Sequence, residues 1–440
     1  MPKYLCAILL AFNLLTALPL AAEPLRLGQA FELALDKDPK IRARRFQTMA
    51  RQEQPRQAKA QLFPQISASS ATTKTHYELS YLTQPVEETT FQYAVNLFQP
   101  LFRPELWNKL DYATLQAEAS RVQLQIDEQK LAAELAKAYF DALLSRRGLE
   151  FARTRMEAQG QRREKLDGYL AQGLTTKMDA LDARVEFDRA RAEWLAEGKR
   201  LQVALLTLGH LTGLAEPELP AETPAIGRKA DSAVVEKEEL NAWRQGLAGS
   251  LEVRLAGIGL ALAQTDMRIR RNERYPKLDA RLSFSDSDSS ESTTRRNDAR
   301  AMLELNIPLY QGGYATSREE EARLSAAAAK EEVSFQIKTA AESLENYWMG
   351  YRLALDRIAA HAEARTSAAL LVEATEKAHA AGLQDTVKVL EARARLAESE
   401  REMVRAQSEA VVAGIGLRMV TGDLNNEGLA ALELMILGGS

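Results

Sequence analysis

Apolar residues at Leu115, Val122, Ile126, Leu135, Tyr139 and Leu143 recur at four- or seven-residue steps, with one wider gap after Ile126. That period puts them on one helix face. The helix they predict is long. Pro104 suits a first helical turn, and no proline follows before Gly173. Sixty-eight residues lie between Pro104 and Gly173, and 68 between Gly313 and Gly382. A continuous helix of that length would run roughly 100 Å, so it requires a coiled-coil-like partner. Gly148, Gly160 and Gly168 weaken the first long pattern towards its end. Shorter helices are predicted over 174–211 and 383–420, after each long one, and over 40–62 and 250–274. Two of these end to end would match one long helix.

Elsewhere the period falls to two. Leu278, Ala280, Leu282 and Phe284 alternate with Asp279, Arg281, Ser283 and Ser285. Ala301, Leu303, Leu305, Ile307 and Leu309 alternate similarly, as do Phe91, Tyr93, Val95 and Leu97; residues 65–74 are a weaker partner. This reads as two strand pairs, about 64–102 and 276–310, each with one apolar face. Strands of about 10–12 residues suit a tilted transmembrane β-strand. Four strands leave open edges, which lipid forbids, so membrane strands would need several chains to share one barrel. The alternative is a pair of soluble hairpins capping a helical bundle. The loop 285–298 opens with Asp286, Asp288 and Ser290 like a calcium loop. Glu291 and Asn297 stand where that loop needs Gly and Glu, so it reads as a solvated loop.

The chain repeats itself. "GLTTKMDALDAR" at 173–184 answers "GLQDTVKVLEAR" at 382–393, 209 residues later. Pro64 answers Pro276, Pro100 answers Pro308, and "LTG" at 211–213 answers "VTG" at 420–422. So long a period marks two structural halves, 23–240 and 241–440.

Residues 1–22 stand apart: Lys3, the apolar run "LCAILLAFNLLTAL" and "PLAA" predict a cleaved secretory signal peptide. The single cysteine, Cys6, lies within that run, so the mature chain would hold no thiol or disulfide. Of 57 basic and 61 acidic residues only Lys3 is removed, leaving 56 − 61 = −5. That balance points away from nucleic acid. The composition, 46% hydrophobic and 27% charged, is that of a folded chain. No later stretch approaches the roughly 18 apolar residues of a membrane helix.

A signal peptide, two halves of strand–strand–long helix–short helix, and "GL…L-[DE]-A-R" after each long helix together resemble the TolC family of outer-membrane channel-tunnels. "LRLGQAFELALDKDPKIRARR" (25–45) is similar to that family's mature start, and "GIGLRMVTGDLNNEGLAAL" (414–432) to its end. The resemblance implies a mainly α fold with membrane β. Long coiled-coil-like helices would form a trimeric α-barrel, and four strands per chain would join a shared 12-stranded outer-membrane barrel. Segments near 213–245 and after 422 would form a middle region. It implies a homotrimer in outer-membrane lipid, extending into the periplasm. Its partners would be a periplasmic adaptor (membrane fusion) protein and an inner-membrane ABC or proton-driven transporter. No cofactor or nucleic acid enters.

By the same resemblance, Gly173, Leu174, Gly382 and Leu383 would be adaptor-docking tips at the periplasmic mouth. Gly can end a helix in a tight turn, and an exposed Leu offers an apolar knob; the alternative is a pair of stapled helix caps. Asp179 and Asp182 lie three apart on one helix face and answer Lys388 and Glu391. The family carries acids here that narrow the tunnel, and Lys388 departs from that pattern. An Asp179–Lys388 contact would then lock the mouth. The family's closed-state tyrosine and arginine fall at His379 and Gln384.

His76, His210, His361 and His379 have no metal-ligand spacing. No G-x-S-x-G, P-loop or catalytic cysteine occurs. The expected function is therefore passive exit, not enzymology, for substrates delivered by the transporter. Type I protein secretion is favoured over small-molecule efflux. A soluble periplasmic coiled-coil scaffold is the reading from another class; adaptors of that kind carry a lipoyl-like β module, which is not seen here.

Overall fold

The computed structural model describes residues 25–77, 86–215, 217–220, 233–290 and 295–437. The expected signal peptide, part of the middle segment (216 and 221–232) and loop residues 291–294 lie outside them. In chain order the elements are α1 (Leu27–Lys37), α2 (Pro39–Gln52), α3 (Gln54–Ala60), β1 (Gln65–Tyr77), β2 (Val86–Phe102), α4 (Pro104–Ala171), α5 (Lys177–Thr212), α6 (Ala233–Gly246), α7 (Leu251–Asn272), β3 (Lys277–Ser289), β4 (Arg296–Asn306), α8 (Tyr314–Ala380), α9 (Thr386–Thr421) and α10 (Asn426–Leu437). The two long helices run unbroken over 68 and 67 residues. Gly148, Gly160 and Gly168 do not interrupt the first, because each costs only about 1 kcal/mol relative to Ala.

The described residues form two compact units, and each draws on both sequence halves. One takes residues from Met1–Asp38, Gln129–Gln245 and Leu344–Ser440; the other from Pro39–Glu128 and Gly246–Ser343. The chain therefore divides compactly across the repeat, not along it.

In the second unit the four strands form one antiparallel sheet, ordered β1-β2-β3-β4. Register puts Ile66 beside Leu97, Leu97 beside Leu282 and Leu282 beside Ala301. Period-two alternation then gathers Phe91, Tyr93, Val95, Leu282, Phe284, Leu303 and Leu305 on one exposed face. Ser67, Asn96 and Ser283 fall on the other. A contiguous apolar face of this kind marks an interaction with membrane or partner. β4 stops at Asn306, short of the predicted Leu309, because Pro308 has no N–H for the ladder. β2 shifts register between Pro100 and Phe102. Just beyond, Arg103 holds buried Asp279 with two bonds of 2.8 and 2.5 Å. Below the strands α7 buries Leu251 and Ile258 against Val122 and Ile126 of α4. The stretch Leu240–Asn272 is long and apolar enough by composition to cross a membrane. It is broken at the turn Leu247–Gly249 and Ser250, and packing on α4 covers part of its apolar face.

In the first unit α4 buries Leu135, Tyr139 and Leu143, as its periodicity predicts. The Tyr139 hydroxyl donates to the Leu25 carbonyl at 3.0 Å, tying the segment before α1 to α4. Both "TG" landmarks end a helix: Gly213 and Gly422 sit at φ 73° and 81°, the left-handed region that favours glycine. Helix contacts order this unit as α5, α4, α9, α8. Phe187 of α5 meets Gly160 of α4, Ser408 of α9 bonds Asp141 of α4, and Arg365 of α8 bonds Glu400 of α9.

Candidate functional site

The doubled phrase makes two helical hairpins of one local design. In the first, the Leu174 N–H donates to the Tyr169 carbonyl at 2.9 Å and the Gly173 N–H to Leu170 at 3.0 Å. In the second, Leu383 donates to Ala378 at 2.9 Å and Gly382 to His379 at 2.9 Å. Both glycines have φ 71°. This pair of reverse bonds is the Schellman helix stop, and glycine is what tolerates its left-handed residue. The stop is made without its usual staple: Leu174 and Leu383 remain 68% and 79% exposed. Each turn thus presents a bare leucine at its tip.

The next turns diverge. Thr176 caps α5, with its hydroxyl accepting from the Asp179 N–H at 3.2 Å, while Asp179 reaches back to the Thr176 N–H at 3.3 Å. The Thr175 hydroxyl also donates to that carboxylate, at 3.1 Å. Bonds from the Thr176 hydroxyl, then its amide, then the Thr175 hydroxyl hold the Asp179 carboxyl below its usual range. A depressed folded pKa contributes stability above the unfolded value of about 3.9 and loses it as pH falls through the folded one. The cap is therefore intact at neutral pH and fails only in acid. Thr176→Ala should raise the Asp179 midpoint, read by carboxyl-carbon NMR of aspartate-labelled protein; an unmoved midpoint would reject this cap.

The second turn is closed differently. The His379 ring meets the Gln384 carbonyl through Nδ1 at 2.9 Å and the Thr386 hydroxyl through Nε2 at 3.5 Å. His379 and Gln384 thus brace their own hairpin. Asp385 begins α9 with no side-chain cap bond; instead it accepts the Tyr169 hydroxyl of the first hairpin at 2.8 Å.

The anticipated Asp179–Lys388 contact is not made within the chain. Asp179 is committed to its own cap, and Lys388 pairs with Glu391 three residues on, at 3.0 Å. Sequence reasoning missed the group that joins the hairpins. Arg162 of α4 reaches Asp182 of α5 at 3.6 Å and Glu391 of α9 at 3.2 Å. Those two carboxylates are equivalent positions of the repeat, brought to one guanidinium. Two turns up, Arg155 has only 7% of its side chain exposed. It pairs with Glu193 and, at 3.8 Å, with Glu186 of α5, and with Glu398 of α9 at 3.3 Å. Arg401 also approaches Glu193, at 3.6 Å.

These groups share a column. Asp141, Gly148, Arg155, Arg162 and Tyr169 follow at seven-residue steps along α4. Asp141 accepts from Ser408 at 3.4 Å, and burial pushes its carboxyl up. At Gly148 an added Cβ would come within 3.3 Å of the Glu197 carboxylate. Polar residues recurring on a core-facing column were the available signal, since each marks a place where neighbouring helices need a counter-charge. No group of His, Cys, Asp and Glu among the described residues could hold a metal ion.

Comparisons with known proteins cover most of the chain. The family described as outer membrane efflux protein matches residues 30–214 and 243–423. The outer membrane protein TolC of Vibrio cholerae is 24% identical over 413 residues, covering 91% of each chain. The alkaline protease secretion protein AprF of Pseudomonas aeruginosa is 22% identical over 94% of this chain and 88% of its own. In fold, the chain is similar to the open state of the MtrE outer membrane channel of Neisseria gonorrhoeae, with a TM-score of 0.75 at 15% identity. That likeness covers 91% of this chain and 90% of the other.

Proposed function

Because the chain belongs to the outer membrane efflux protein family, a family of outer-membrane channels and not of enzymes, we propose that it is the passive exit duct of a type I protein secretion system. As a homotrimer, three sheets of four strands, 3 × 4 = 12, would close one barrel in the outer membrane. Closure removes the open edges that lipid does not tolerate, and the exposed apolar sheet face then meets lipid. An inner-membrane transporter supplies the energy and a periplasmic adaptor docks at the hairpin tips. The two unstapled leucines carry this reading, since a helix cap alone would bury them. The likeness to AprF favours protein as the substrate. Small-molecule efflux with a proton-driven pump uses the same duct and is decided by the transporter captured.

In this reading the joint around Arg162, Glu391, Tyr169 and Asp385 holds the mouth closed. Photo-crosslinking in cells from probes at Leu174 and Leu383, with mass spectrometry, should capture an adaptor and, with it, an ABC transporter. An adaptor with a proton-driven pump would move the assignment to efflux. Capture of this chain alone while transport runs would leave the leucines as ordinary caps.

A further inference from the structure

The polar face of the sheet leaves one charge unanswered. The register that gathers apolar side chains on one face puts Ser67, Asn96, Ser283 and Arg300 in a single row of the other. The remaining charges of that face are matched. Asp279 is held by Arg103, Asp298 by Arg296 at 2.9 Å, and Glu304 by Arg281 at 2.8 Å. Lys277 reaches Glu105 at 3.2 Å, and Glu88 accepts from the Ser289 hydroxyl at 2.5 Å. Arg300 is the exception. It is exposed, and among the described residues its side chain has no ion pair or hydrogen bond. Its row neighbours offer hydroxyls and an amide, not a carboxylate. β1, the strand that would lie beside β4 in a closed barrel, carries no Asp or Glu anywhere in Gln65–Tyr77. Closure therefore brings Arg300 no counter-charge from that strand.

We infer that three Arg300 side chains, one from each copy, form a selectivity ring inside the outer-membrane barrel, favouring carboxylate-rich stretches of a passing polypeptide. This rests on the trimer and barrel proposed above. With the apolar face towards lipid, the polar face lines the lumen. Threefold symmetry then holds the three guanidiniums at one height. Arg300 stands 306 − 300 = 6 residues inside the end of β4, about 20 Å along the strand. The ring thus sits well within the barrel and not at its helical end. A guanidinium stays charged at any physiological pH, so the ring cannot titrate away. Low-dielectric walls focus its field into the lumen, and rings of Arg or Lys are how anion-selective pores are built. The guanidinium fork also matches a carboxylate with two parallel hydrogen bonds. Ser67, Asn96 and Ser283 keep the surrounding wall wet and uncharged.

The test uses the full chain in planar bilayers at about 0.1 M KCl, where charges act over about 10 Å. Oligoglutamate and oligolysine of equal length are added on the barrel side, so that they meet the sheet before the mouth. Oligoglutamate should reduce the current and oligolysine should not. Arg300→Gln should raise the half-blocking concentration about tenfold, the order of enrichment a focused field gives. Arg300→Lys should keep the block, and Arg300→Glu should transfer it to oligolysine. Anisotropy of labelled oligoglutamate on the detergent-solubilised protein makes the same comparison when the duct is shut, and light scattering reads the oligomer. A trimer in which Arg300→Gln changes neither block nor binding overturns the ring. A trimer that takes oligolysine as readily as oligoglutamate overturns the anionic preference. A monomer overturns the trimer on which the ring depends, and light scattering separates that outcome from the other two.

Discussion

Replacing Arg162 by alanine should open the mouth at rest. One guanidinium collects Asp182 from the first hairpin and Glu391 from the second. Without it, Asp182 loses its cation and Glu391 keeps only Lys388 of its own helix, so nothing joins the two hairpins at this point. An ion pair this far from solvent lies between the about 0–1 kcal/mol of exposed pairs and the about 3–5 kcal/mol of buried ones, and each 1.4 kcal/mol is tenfold in an equilibrium. The closed-to-open ratio should fall roughly tenfold to a hundredfold. In planar bilayers this appears as a resting conductance raised by about an order of magnitude, and in cells as sensitivity to large antibiotics. Glu391→Gln should reproduce most of the effect, because Glu391 is the more buried partner and the nearer one. Asp182→Asn should do little, since exposed ion pairs contribute about 0–1 kcal/mol. Unchanged conductance in both Arg162→Ala and Glu391→Gln would place the closed-state joint elsewhere.

Arg155→Ala should act on stability rather than on gating alone. Arg155 is buried and stands among Glu186, Glu193 and Glu398 from two other helices. Removing one partner of a buried ion pair costs about 3–5 kcal/mol, because the remaining charge is left uncompensated. Arg401 compensates only Glu193. Outer-membrane assemblies are best followed as rates, since their unfolding is commonly irreversible. The half-life of the assembly at fixed temperature should shorten by roughly a hundredfold or more. Arg155→Met should also shorten it. It restores the volume but not the charge, so a stable methionine variant would show that Arg155 contributes packing instead of pairing.

Much of the architecture is readable before any coordinates. The long helices end within two residues of Gly173 and Gly382, and both strand pairs form where the period changes. Local physics sets these features: a proline-free helical period, an alternating strand period and a glycine able to adopt positive φ. The exposure of Leu174 and Leu383 is not set by the turn alone, whose usual staple would cover them. The contacts between the two hairpins are not readable in this way. Tyr169 and Asp385 are 216 residues apart and meet because two hairpins lie side by side. The expected Asp179–Lys388 lock fails because each group finds a nearer partner within its own turn.

By itself, the sequence of this protein determined two halves of one pattern, the length of the two long helices and the two glycine turns that end them, since each depends on neighbours a few residues away. Only the tertiary structure decided that the halves are not interchangeable. Val387, Leu390 and Ala394 are buried while Met178, Leu181 and Val185 stay bare, because α9 has α4 on one side and α8 on the other. α5 lies at the edge, beside α4. Equivalent heptads acquire opposite roles from which helix lies beside them.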